Sequence, residues 1–120
     1  MAVVLVAEDD QDIAAILTRL LTRAGHTVQH EPDGMAAFER AVADRPDVVL
    51  TDLGMPRMDG LEAAKHLRAL SAGEPMTLVA LTGWGQKRDH ERTREAGFDW
   101  HLLKPIDGNE LDKILAAAAP

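Results

Sequence analysis

The sequence predicts a doubly wound α/β domain, a five-stranded parallel sheet with helices on both faces. Two patterns and a length predict it. Short apolar runs rich in β-branched residues alternate with stretches of helical spacing, the order that parallel sheets with covering helices require. Four of the five runs stop at acidic, hydroxyl or ammonium side chains: Glu8-Asp9-Asp10, Asp52, Thr82 and Lys104. At 120 residues the chain has the size of one domain, 1–120, with little left for a second.

Val3-Val4-Leu5-Val6-Ala7 reads as a strand buried on both faces. Ile13, Ile16, Leu17, Leu20 and Leu21 then share one helical face, which places a helix over 11–24 with Gly25 as its C′ residue. Thr27 to His30 forms a weaker strand, ended by Pro32-Asp33-Gly34. Asp33 caps a second helix with Phe38, Ala41 and Val42 on its inner side. Pro46 stops that helix, and Asp47 to Asp52 is the third strand. Asp59-Gly60 opens a helix through about Ser71, its stripe being Leu61, Ala64, Leu67 and Leu70. Met76 to Leu81 is the fourth strand, running into Thr82-Gly83. Gln86 to Ala96 is helical by propensity with almost no apolar residue, and Gly97 ends it. Asp99 to Leu103 is the fifth strand, leading to Lys104-Pro105. A last helix carries Leu111, Ile114 and Leu115. Right-handed crossovers join such units into a doubly wound sheet.

Composition narrows the function. Hydrophobic residues make up 46% and charged residues 28%, the balance of a folded soluble chain. No apolar run approaches the roughly 20 residues of a membrane helix, so no membrane partner is expected. The start MAVVLVAEDD lacks the basic leading residues of a secretory signal. Cysteine is absent, which excludes disulfides, thiolate metal sites and cysteine nucleophiles, and is compatible with the expected cytoplasmic location. A formal net charge of −7 argues against direct binding of nucleic acid, whose phosphates need a basic face.

In open α/β sheets, functional groups gather beyond the carboxyl ends of the strands, where strand order reverses. Crowded carboxylates repel one another unless a cation neutralises them. Oxygen-only ligands with open positions suit Mg²⁺. Lys104 adds a second positive charge and Thr82 a hydroxyl donor, and a carboxylate such as Asp52 can attack phosphorus to form an aspartyl phosphate.

Four segments carry a resemblance that spans essentially the whole chain: Val4-Leu5-Val6-Ala7-Glu8-Asp9-Asp10, Leu50-Thr51-Asp52-Leu53-Gly54-Met55-Pro56-Arg57-Met58-Asp59-Gly60, Ala80-Leu81-Thr82-Gly83 and Leu103-Lys104-Pro105. The sequence resembles a bacterial response-regulator receiver domain, similar to the chemotaxis regulator and to receiver modules of hybrid histidine kinases. The resemblance implies a flavodoxin-like strand order 2-1-3-4-5. It implies a two-component or phosphorelay switch, not an enzyme, that takes a phosphoryl group from a phosphohistidine onto Asp52. A histidine kinase or histidine phosphotransfer protein would be the donor, and a downstream protein the target. The implied cofactor is Mg²⁺, with Mn²⁺ as a substitute, held by Asp9, Asp52 and the Gly54 backbone carbonyl, with Glu8 acting through water. Thr82 and Lys104 would contact the phosphoryl group, Thr82 and His101 would form the switch, and the bond before Pro105 would be cis.

The chain departs from the family pattern in places. Glu8 stands where Asp is commoner, and His101 where Tyr or Phe is usual. Gly54 leaves the acyl phosphate open to water, whereas Trp84 would shield it. Asp10 reads better as the start of the first helix, whose dipole favours negative charge. His26, His30, His66 and His90 show no pattern of partners and read as surface residues. The poorly apolar helix after Thr82 has the low stability expected of a switching element. Two other classes lack a residue that they need. A phosphatase of the haloacid dehalogenase kind needs a second acid where Gly54 stands. An FMN carrier needs a hydroxyl-rich loop where Glu8-Asp9-Asp10 would repel phosphate.

Overall fold

The computed structural model describes residues 2–53, 60–70, 76–82, 91, 94–104 and 106–118. Five strands, β1 (Val3–Ala7), β2 (Thr27–Glu31), β3 (Val48–Asp52), β4 (Thr77–Thr82) and β5 (Trp100–Leu103), form one parallel sheet in the order β2-β1-β3-β4-β5. Four helices are described in full: α1 (Gln11–Arg23), α2 (Gly34–Asp44), α3 (Gly60–Leu70) and α4 (Gly108–Ala118). Residues 94–96 are also helical and end at Gly97, whose φ of +105° suits glycine. Most of the predicted helix 86–96, including Trp84 just before it, lies outside the described residues.

The order reverses between β1 and β3, so their carboxyl ends flank the crevice where such folds place their chemistry. Both central strands are buried on each face, as their continuous apolar runs require. One layer of core gathers Val4, Val6, Leu50, Val79, Leu81 and Leu102 under Leu17 and Leu21 of α1 and Leu111, Ile114 and Leu115 of α4. The other gathers Leu5, Ala7, Val49, Leu78 and Ala80 under Ala37 and Ala41 of α2 and Ala64 and Leu67 of α3.

Helix ends follow local chemistry. Asp10 caps α1, its side chain accepting from the Asp12 and Ile13 N–H groups, and Asp33 caps α2 by accepting from Ala36. Gly25, with a φ of +95°, follows the C-cap Ala24. Arg45 takes the same left-handed conformation after α2 (φ 49°), one residue before the Pro46 expected to stop the helix.

Two apolar positions are corrected. Ile16 is 50% exposed and Val42 38% exposed, whereas Ala14, Ala37 and Ala41 are buried. Both corrected residues flank the inward face of their helices, and small alanines let the helix backbones approach the sheet closely. Leu50 is fully buried in the middle of the sheet. Leu50→Ala is expected to lower the unfolding free energy by about 2–5 kcal/mol, read from urea denaturation. A loss within error of zero would show that the core layer is not placed as described.

Candidate functional site

The first acid is placed by β1. Ala7 is its last residue, but the ladder runs one step further, the Glu8 N–H donating to the Glu31 carbonyl of β2 at 3.1 Å, and Glu8 is fully buried. Asp9 is exposed, and Asp10 turns the chain into α1 while its N–H donates to Glu8 Oε1 at 3.2 Å. Asp10 is therefore a cap, as expected. Asp52 is the final residue of β3, paired with Leu81 of β4. Thr82 ends β4 and is buried. One more ladder bond, from the Lys104 N–H to the Thr82 carbonyl at 2.9 Å, carries the chain past β5 and brings the lysine to the same rim.

There the side chains meet. Lys104 Nζ lies 3.3 Å from Glu8 Oε2 and 3.4 Å from Asp52 Oδ2, and donates to Glu8 Oε1 at 3.5 Å. Oxygens of Glu8, Asp9 and Asp52 all lie within 4.8 Å of one another. Glu8 Oε2 is buried and, among the described residues, accepts no well-aligned hydrogen bond; its contact with Lys104 is an ion pair only. Glu8 and Asp52 thus share one ammonium, with the Asp9 carboxylate beside them.

Residues 4–116 match the response regulator receiver domain family. The chain belongs to that family. A phosphoacceptor role in two-component signalling follows from this membership. The receiver is 37% identical to the response regulator MprA of Mycobacterium ulcerans over 108 residues, 90% of this chain and 46% of that protein. It thus spans about half the length of that relative. Chemotaxis protein CheY4 of Vibrio cholerae superposes with a TM-score of 0.89 at 30% identity, covering 98% of each chain. The receiver domain of the sensor histidine kinase PA1611 from Pseudomonas aeruginosa superposes with a TM-score of 0.87, also at 30% identity, covering 97% of this chain and 95% of that one. That neighbour holds a magnesium ion coordinated in its active-site cleft.

The receiver's own donors fit such an ion. They are hard oxygens, they carry more negative charge than Lys104 neutralises, and one buried oxygen has no hydrogen bond to give up. Gly54 and Pro105 lie outside the described residues. His101 is half-buried on β5 opposite Ala80, one strand away from Thr82. His26 and His30 are corrected, both being half-buried: His26 Nδ1 accepts from the Ala2 N–H at 3.1 Å, and His30 Nε2 sits 2.9 Å from the Glu8 carbonyl. His66 is exposed, as expected, with its ring edge-on to Phe38, and His90 lies outside the described residues. Each partner comes from another element, so no local sequence pattern could reveal it. No helix among the described residues is long and apolar enough to cross a membrane.

Burial raises the Glu8 pKa, and the Asp52 charge raises it further, against the lowering effect of the Asp10 N–H and of Lys104. Burial alone would lower Lys104, but the charges of Asp52 and Glu8 outweigh it and hold the ammonium above its usual range. A carboxyl with a raised folded-state pKa binds its proton more tightly in the folded chain. It therefore adds stability at low pH that is lost as pH rises through the raised value. In metal-free protein the stability of wild type relative to Glu8→Gln is expected to fall as pH rises from 4.5, the ordinary value, through that window. Urea denaturation of both proteins across pH checks this, and a difference that stays flat or rises contradicts it.

Proposed function

We propose that Asp52 is the phosphoacceptor and that Asp9 and Asp52 hold the divalent ion beside it, with the Gly54 carbonyl as a further ligand and Glu8 acting through water. The single observation that supports this reading is the meeting of three carboxylates and one lysine, drawn from the ends of β1, β3 and β5, at one rim. The bound Mg²⁺, or Mn²⁺ in its place, would offset charge on the transferred group.

The protein's side chains do the rest. Asp52 is 13% exposed, enough for one carboxylate oxygen to meet an incoming phosphorus while its neighbours hold it in place. Attack forms the oxygen–phosphorus bond and breaks the phosphorus–nitrogen bond of a phosphohistidine, whose electron pair returns to the donor's imidazole. Lys104, already between Asp52 and Glu8, supplies positive charge for the equatorial oxygens. The Thr82 hydroxyl donates to the same group and moves toward it. His101, on the adjacent strand opposite Ala80, turns into the space left and biases a pre-existing equilibrium of the protein-binding surface. Hydrolysis of the acyl phosphate resets the switch, so the chain turns over no substrate of its own. The donor is a histidine kinase or phosphotransfer protein of the cytoplasm.

Incubation with phosphoramidate and Mg²⁺, followed by intact mass measurement, is expected to add one phosphoryl group to wild type and none to Asp52→Asn. Lys104→Met is expected to slow labelling by about 10²-fold. Equal labelling of Asp52→Asn, or no added mass on wild type, would end this reading.

A further inference from the structure

The Glu8 main chain is held from an unexpected direction. β2 runs parallel to β1 with Val6 opposite His30 and Ala7 opposite Glu31, and the ladder extends to the bond from the Glu8 N–H to the Glu31 carbonyl. β2 stops there, and Pro32 leads away into the Asp33 cap of α2. A longer strand would present a main-chain N–H to the next acceptor, the Glu8 carbonyl. Here the His30 ring reaches it, with Nε2 at 2.9 Å. The partner is a carbonyl oxygen, which only accepts, so Nε2 must carry the proton.

That carbonyl belongs to the peptide joining Glu8 to Asp9. Turning this peptide swings the Glu8 and Asp9 side chains relative to each other, and both offer oxygens to the acidic cluster. We infer that His30 is a positioning residue for the metal site: its ring N–H fixes the Glu8–Asp9 peptide, and through it the direction of both carboxylates. The inference rests on the reading of the acidic cluster as a Mg²⁺ site. His30 touches neither metal nor phosphoryl group. Its role resembles that of the outer partners that orient metal ligands, whose loss typically weakens metal binding by 10–100-fold. The Glu8 side chain is anchored separately, by Lys104 and the Asp10 N–H, so losing His30 should loosen Asp9 more than Glu8.

Two substitutions separate this role from simple packing. His30→Phe keeps a ring and removes the donor, while His30→Gln places an amide N–H near the position of Nε2. Mg²⁺ affinity is measured calorimetrically on folded protein, with urea stability recorded in parallel. The expected result is a loss of about 10–100-fold in His30→Phe and recovery to within about threefold of wild type in His30→Gln. Equal affinity in wild type and His30→Phe, or equal losses in both variants, would overturn the role even where stability changes. Absence of Mg²⁺ binding in wild type overturns it together with the metal-site reading, whereas normal wild-type binding with unaltered His30→Phe overturns the role of His30 alone. Nitrogen-15 spectra of wild type add a readout that needs no variant. A proton on Nε2 of His30 is expected, and the opposite neutral tautomer would overturn the inference.

Discussion

The site's chemistry rests on an unequal sharing of charge at the carboxyl end of the sheet. Glu8, Asp9 and Asp52 bring three negative charges to a space where Lys104 brings one positive charge. Like charges a few ångströms apart are tolerable in water but not beside a fully buried carboxylate, where screening is weak. Burial first, and the Asp52 charge second, raise the Glu8 pKa. A protein selected for stability alone would place an apolar side chain there, because burying charge costs more than it returns. The excess makes physical sense when a divalent ion completes the site.

Holding such a cluster together requires a frame that does not yield. Its members stand at or just beyond the ends of β1, β3 and β5, whose preceding residues are locked into adjacent ladders and two closely packed core layers. The opposite end of the sheet is tied as firmly. Arg68 of α3 donates to the Met76 and Gly97 carbonyls and to Asp99, and Asp99 also accepts the Leu78 N–H. That ties the starts of β4 and β5 to one helix.

Much of this was legible in the sequence because the signals are local. β1 declares itself by a run of apolar residues, α1 by its spacing, and the rim by carboxylates that stop the strands. Membership of the family ordered the strands, which periodicity alone could not. Asp10 is legible as the start of α1 because its partners, the Asp12 and Ile13 N–H groups, lie two and three residues away. His30 was not legible. Its partner lies 22 residues earlier and is a backbone carbonyl, which looks the same in every residue. Ile16 and Val42 misled for a related reason: both fall within reach of an apolar stripe, but whether a helix edge meets the sheet depends on how closely the helix sits.

Lys104 connects the resting site to what phosphorylation would change. At rest its ammonium is divided between Glu8 and Asp52 at nearly equal distances. A phosphoryl group brings close to two negative charges at neutral pH, so on Asp52 it would draw the lysine toward itself and away from Glu8. The buried carboxylate would then lose its counter-charge at the moment the site becomes more negative. Its remaining compensation would be the Asp10 N–H and whatever cation lies against Glu8 Oε2. With Asp52 as the phosphoacceptor, retention of the ion and retention of the phosphoryl group would be coupled through one side chain.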